Sequence, residues 1–245
     1  MKETEIKIGI IGAGRFGLFI GKELSPFYDV IYFDKNIREG NKLCYSNLNE
    51  CLKRDLVIIA LPISSIEQFL IENKNKILSA SILIDIASLK IKPAEWYKKY
   101  LPEGSRYILT HPLFGPDSAK ASLEGHKIVI SESRIDDKSK SLIENIFTQK
   151  LKLRIIRLSP EEHDLMMAYN LNLMHHLGRA FNDMGIQSLN LKMKSLQDIE
   201  RITTFVMNDS EQLFKDFYNY NPFAAKIKSQ FEQSFKKIAD MAGTK

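Results

Sequence analysis

The sequence predicts an α/β protein: a doubly wound, mainly parallel sheet followed by an all-helical C-terminal domain. Three observations carry this. A short isoleucine-rich strand runs directly into a glycine-rich turn and a helix. Further apolar runs of four to seven residues recur up to about Leu158, each ended by a turn signal. Beyond Ser159-Pro160 there is no convincing strand, and the apolar residues recur at helical spacing.

The first strand is Ile6 to Ile11, with Lys7 as its only polar residue and exposed start, the pattern of a strand buried on both faces. Gly12-Ala13-Gly14-Arg15-Phe16-Gly17 follows, then a helical run from Leu18 to Leu24. Strand, Gly-x-Gly-x-x-Gly and helix in that order form the dinucleotide fingerprint of a Rossmann-type domain. Gly12 permits the tight turn, Gly14 lets backbone approach a pyrophosphate, and Gly17 allows close helix–strand packing. The N–H groups opening the helix hold the phosphates. Asp29 to Phe33 is the second strand. Asp34 at its end lies roughly 20 residues beyond Gly12, where a carboxylate binds the adenosine ribose. That carboxylate repels a 2′-phosphate and favours NAD, while Lys35 and Arg38 nearby leave NADP open.

Asp55 to Leu61 is the next buried strand. The turn Pro62-Ile63-Ser64-Ser65 places Leu61 and Pro62 beside the nicotinamide half of the cofactor. Ser81 to Ile86 follows, then Ala87-Ser88-Leu89-Lys90, with Ser88 either on the ligand rim or a helix N-cap. Tyr107 to Thr110 delivers Thr110-His111-Pro112-Leu113-Phe114-Gly115-Pro116 to the same rim. Pro112 and Pro116 bias the preceding residues away from helix, so the loop is stiff and aims one imidazole. Lys127 to Ser131 and Leu153 to Leu158 complete the sheet.

Ser159-Pro160-Glu161-Glu162 is a helix start, with a capping serine, a proline at the first helical position and a capping-box glutamate. The domains are therefore drawn as 1–158, dinucleotide-binding, and 159–245, helical. His163 to about Met184 reads as one long helix, apolar on more than one face and hence covered by a core or a second subunit. His175 and Arg179 share a face of it, and a buried arginine needs an anion, either a structural carboxylate or a substrate. Helices over about Leu196–Met207 and Asp209–Tyr218 follow. The last begins at Asn221-Pro222, with Phe223, Ile227, Phe231, Phe235, Ile238 and Met241 as a packing stripe.

The whole chain fits this reading. Its 245 residues suit two modest domains, and 44% hydrophobic with 27% charged residues is ordinary for a globular protein. The net charge of +5 is scattered, which argues against a nucleic-acid tract. Cys44 and Cys51 lack metal-ligand spacing, so no metal is expected and reduced cytoplasmic thiols are. Neither a signal peptide nor a membrane span is expected.

On the residues just quoted, the chain resembles the prephenate/arogenate dehydrogenases of tyrosine biosynthesis over essentially its full length. The likeness lies in the glycine fingerprint, Asp85 to Lys90, and Thr110 to Pro116. It continues in Glu162-His163-Asp164, His175-His176-Leu177-Gly178-Arg179 and Asp209 to Ala224, the last most like the monofunctional arogenate-type branch. The resemblance implies oxidative decarboxylation of arogenate, with prephenate the alternative substrate. His111 would be the base, and Ser88 would bond the substrate hydroxyl and orient His111. His175 would contact substrate, and Arg201 or Arg179 would anchor a carboxylate. It also implies NAD as cofactor, with NADP as the alternative, a homodimer through the helical domain, and no fused mutase.

Overall fold

The structure, a computed structural model, describes residues 6–36, 45–77 and 81–243. Cys44 and Arg38 lie outside the described residues. The chain divides into two compact units, Met1–Glu161 and Glu162–Lys245.

The first unit is a seven-stranded sheet in the order β2-β1-β3-β4-β5-β6-β7. The strands are β1 (Lys7–Ile11), β2 (Asp29–Phe33), β3 (Leu56–Ile59), β4 (Ile82–Asp85), β5 (Arg106–Pro112), β6 (Lys127–Arg134) and β7 (Arg154–Arg157). All neighbours are parallel except β5 and β6. The helices are α1 (Arg15–Leu24), α2 (Leu48–Leu52), α3 (Ile63–Asn73), α4 (Ile91–Tyr100) and α5 (Asp137–Asn145). β3 and β4 are buried at every position, the consequence of β-branched and leucine side chains facing cover on both sides of a parallel sheet. Ile8, Ile10, Ile58, Ile84, Ile108 and Ile128 belong to one core cluster.

The chain leaves β1 toward β2 and then returns across β1 to β3. Strand order therefore reverses between β1 and β3, and the crevice at their carboxyl ends is where such sheets bind ligands. The turn expected at Pro62–Ser65 is instead the start of α3, with Pro62 at the cap position. Proline suits the beginning of a helix, whose first N–H groups need no intrahelical partner.

The boundary falls in the first turn of α6 (Pro160–Met167), and the second unit holds the rest of that helix with α7 (Met174–Asp183), α8 (Lys194–Asn208), α9 (Glu211–Tyr220) and α10 (Ala224–Met241). A π-helical segment, Ala168–Leu173, joins α6 to α7, so the expected single α-helix is continuous but widened in its middle. Within that segment Asn172 is buried and its Oδ1 accepts from Asn221 Nδ2 at 3.1 Å. The same amide donates to the Asp164 carbonyl at 2.8 Å, which ties the α9–α10 corner to α6. Asn221 Oδ1 accepts from the Phe223 N–H, so the last helix starts three residues later than expected. A Cβ on Gly178 would stand 3.0 Å from Val206, so glycine there lets α8 close on α7.

Two apolar faces are left without cover by this chain. Leu165, Met166 and Tyr169 are exposed, so the long helix is not covered all round by its own chain. In the α10 stripe Ile227 is buried, but Phe235, Ile238 and Met241 are 65%, 65% and 77% exposed. Helical spacing defines a face that wants cover without saying what supplies it.

Candidate active site

In the first unit the glycine turn sits at the switch point. Gly12 has φ +102°, and a Cβ there would meet the Ala60 carbonyl at 2.4 Å, so only glycine fits. A Cβ on Gly17 would fall 2.0 Å from the Gly12 carbonyl, which fixes α1 against the turn. Gly14 differs: a Cβ there would meet nothing within 4 Å. The chain itself does not demand glycine at that position, whereas a bound pyrophosphate would. Gly14 is the cap residue of α1 and provides no side-chain bond to the start of the helix, whose positive end suits an anion. Asp34 accepts from Ala13 N–H at 2.7 Å and Asn36 N–H at 2.8 Å, which fixes its carboxylate beside the turn. Leu61, half-buried, and Pro62, exposed, follow β3 on the same rim. These residues fit a dinucleotide.

His111 lies near the end of β5 and is 7% exposed, paired with Val129 of β6. The β4–β5 ladder ends two residues earlier, at Asp85↔Leu109, and the β5–β6 register shifts between Leu109 and Thr110. Beyond the ladder, side chains take over on the β4 side. The Lys90 ammonium donates to the Thr110 carbonyl at 2.7 Å and pairs with the Asp85 carboxylate. The Thr110 hydroxyl donates to the Asp85 carbonyl at 2.8 Å. Asp85, Lys90 and Thr110 all lack solvent exposure. One buried cation thus joins the loop carrying Ser88 to the residue before His111. Ser88 is half-buried in that loop, and the cap position of α4 falls to Lys90, so Ser88 is not the N-cap.

The loop after His111 is fastened to the glycine turn. Phe114 packs against Phe16 at 6.0 Å and Phe19 at 6.4 Å between ring centroids, and His126 lies 5.2 Å away. Arg15 pairs with Asp117 at 2.7 Å; both are substantially exposed, so this bridge registers the loops more than it stabilises them. The structure therefore brings the fingerprint, Asp34, Ser88 and His111 to one rim. Sequence reading missed the linking roles of Lys90, Thr110 and Asp117. A lysine inside the apolar run from Ile82 to Ile91 was the available signal.

The second unit has its own polar cluster. His175 is 3% exposed, stacked at 11° on Phe214 (6.1 Å) and edge-on to Phe217 (5.0 Å). Its Nε2 lies 3.3 Å from Asp209 Oδ2. One turn on, the Arg179 guanidinium sits 4.6 Å above the Phe214 ring. Arg201 does not join them in this unit's core: it is 69% exposed and faces Asp198 at 3.6 Å. Asp209, just ahead of the Ser210 cap of α9, was not foreseen as a neighbour of His175. In α6, His163 Nδ1 and Asp164 Oδ1 are 2.7 Å apart and fully buried, a structural pair within the unit.

An open parallel sheet with a glycine turn at its switch point, an acid after the second strand and a buried imidazole on the same rim defines a dinucleotide-dependent dehydrogenase. Comparison with known proteins narrows the class. Residues 33–156 match the family model described as prephenate dehydrogenase, nucleotide-binding domain, and residues 180–242 match one described as TYRAAT1-like, C-terminal domain. The chain belongs to the prephenate dehydrogenase family and is an NAD(P)-linked oxidoreductase.

Among its relatives, arogenate dehydrogenase 2, chloroplastic, of Arabidopsis thaliana is 26% identical, the match covering 97% of this chain and 70% of that protein. Arogenate dehydrogenase 1, chloroplastic, of the same plant is 27% identical over 96% of this chain. A probable arogenate/prephenate dehydrogenase of Methanocaldococcus jannaschii is 26% identical over 100% of it. The chain spans 39% and 58% of the length of those last two. The solved prephenate dehydrogenase of A. aeolicus, in complex with hydroxyphenyl propionate and NAD+, shares the fold at TM-score 0.76 and 17% identity, covering 99% of this chain and 92% of that one. Synechocystis arogenate dehydrogenase does so at TM-score 0.68 and 17% identity, covering 97% and 92%. Among the described residues no helix is long and apolar enough to cross a membrane.

Proposed function

We propose that this protein oxidatively decarboxylates arogenate to tyrosine, with NAD as the preferred cofactor. The observation that carries the reaction is the buried His111 on the rim of the glycine turn, with the following loop held to that turn through Phe114 and Phe16. In the proposed reaction the C4 hydroxyl of the substrate ring gives its proton to His111, and Ser88 bonds the same hydroxyl and orients the imidazole. When bound, the dinucleotide accepts the hydride from C4. The C1–carboxylate bond breaks, its electron pair enters the ring, carbon dioxide leaves and the ring becomes aromatic.

Arogenate and prephenate differ by an ammonium against a ketone on the side chain. The choice of arogenate is supported by relatives that span most of this chain and are named arogenate dehydrogenases, at 26% and 27% identity. The choice of NAD rests on Asp34, whose carboxylate repels a 2′-phosphate. We also assign a homodimer, since Phe235, Ile238 and Met241 leave an apolar face on α10 that a second copy would cover.

Steady-state rates with both acids and both dinucleotides test this. The expected ranking in kcat/KM is arogenate over prephenate and NAD over NADP. A wild-type enzyme that prefers prephenate would overturn the substrate assignment; a strong NADP preference would overturn that of the cofactor.

A further inference from the structure

We propose that Asn221 is a positioning residue: its amide holds the π-helical turn Ala168–Leu173 and so sets the direction in which His175 leaves α7. Every group involved lies in the helical unit. Only the part that His175 plays in turnover rests on the function just proposed.

A π turn bonds each N–H to the carbonyl five residues back instead of four, and such widenings have local causes. Here side-chain amides serve carbonyls in the last turn of α6, just ahead of the widening. Asn170 Nδ2 donates to the Met166 carbonyl at 2.8 Å from an exposed position. Asn221 Nδ2 donates to the Asp164 carbonyl at 2.8 Å and also to Asn172 Oδ1, inside the turn, at 3.1 Å. Asn221 thus clasps the widened turn at both ends, and its own oxygen accepts from the Phe223 N–H at 3.0 Å. Asn221 and Asn172 are 3% and 1% exposed, so water cannot take over a lost bond, and a donor or acceptor left over there bears its full desolvation cost. Asn221 is also the C-cap of α9, which ties its amide to that helix.

The consequence falls on His175, the second residue of α7. At about 3.6 residues per turn, one residue gained or lost in a helix turns everything after it by about 100°. The His175 ring stacks on Phe214 at 6.1 Å and stands edge-on to Phe217 at 5.0 Å, both from α9. One corner therefore holds His175 twice, by Asn221 on the helix before it and by two phenylalanines on its ring. If the turn tightened to α-helix, the ring would leave that platform and its 3.3 Å approach to Asp209. An amide that only stabilised the fold would leave His175 in place in any variant that folds.

Nuclear magnetic resonance of the full-length protein, labelled in its histidine rings, separates the two cases. The rings of Phe214 and Phe217 displace the His175 signals from the free-imidazole position, and His175→Gln identifies those signals by their loss. In Asn221→Ala, held well below its melting temperature, they should move toward the free-imidazole position. The arogenate kcat/KM should fall by about 10–100-fold, the scale of a contact misplaced by about an ångström, with the KM for NAD unchanged. Asn172→Ala cuts only the arm that enters the turn and should show both effects more weakly. Folded Asn221→Ala with the His175 signals unmoved, or with kcat/KM at the wild-type value, would overturn the assignment. Should Asn221→Ala fail to fold, Asn172→Ala decides by the same two readouts. If the wild type oxidises neither arogenate nor prephenate, the function proposed above is wrong, and the ring signals alone decide for Asn221.

Discussion

The Lys90 ammonium donates to the Thr110 carbonyl at 2.7 Å, one residue before His111, from a side chain with no solvent exposure. Thr110 lies just beyond the last β4–β5 pair, Asp85↔Leu109, and the same ammonium pairs with the Asp85 carboxylate. Lys90→Met should therefore act twice. It strands the Asp85 carboxylate in the core, a loss of about 3–5 kcal/mol by urea unfolding. It also frees the carbonyl before His111, so kcat should fall in the protein that remains folded. Asp85→Asn combined with Lys90→Met should recover part of the stability, because the buried charge is gone, without recovering the turnover.

His111→Asn keeps a polar side chain of nearly the same reach but removes the base. Turnover should drop by about 10²–10⁴-fold while the melting temperature and NAD affinity stay near wild type. Turnover close to normal would mean that another group takes the proton.

Gly14 and Gly17 should separate binding from folding. Gly17→Ala puts a Cβ 2.0 Å from the Gly12 carbonyl and should lower the melting temperature with or without cofactor. Gly14→Ala meets nothing within 4 Å and should melt close to wild type when free of cofactor. NAD at about 100 times its Kd should stabilise the wild type by roughly 2.7 kcal/mol, and Gly14→Ala should lose most of that gain.

The exposed end of α10 predicts assembly. Light scattering should find a particle of twice the 28.2 kDa chain mass. Phe235→Glu with Ile238→Glu should shift it to a single chain, since two carboxylates cannot be buried unpaired in an apolar face.

Cys51 should be inert in the native state. Burial pushes its thiol up to about 11, with Arg54 pulling it down and Glu50 pushing it up. The thiolate is the reactive form, so iodoacetamide at pH 8 should label Cys51 only after unfolding, as read by mass spectrometry of the peptide. The sign for stability follows. The folded state keeps its proton above the pH at which the unfolded thiol ionises, so this contribution is full below the unfolded value, near 9, and is lost as pH rises toward 11.

The strands of the sheet were readable because each is a nearly continuous apolar run ended by a turn signal, as in Leu56–Ile59 and Ile82–Asp85. The glycine fingerprint was readable because its meaning is local: strand, turn and helix are adjacent in sequence. What escaped were contacts between distant residues. Nothing along the chain sets Asp209 beside His175, since that depends on how α9 folds back toward α7. The π-helical widening at Ala168–Leu173 escaped as well, because the side chains there suit an α-helix equally.

By itself the amino-acid order determined the period of most elements and the place of the glycine turn. These follow from steric limits and apolar spacing within a few residues. The loop expected from Thr110 to Pro116 is corrected, because His111 and Pro112 continue β5 as partners of Val129 and Ile128. Only the tertiary structure decided that Lys90 joins Asp85 to Thr110, that Asp34 is held by the turn it faces, and that Asn221 bonds both Asp164 and Asn172. Each of those depends on burial, and burial is a property of the packed chain: whether a charge is solvated or must find a partner is settled only when the surrounding elements exclude water.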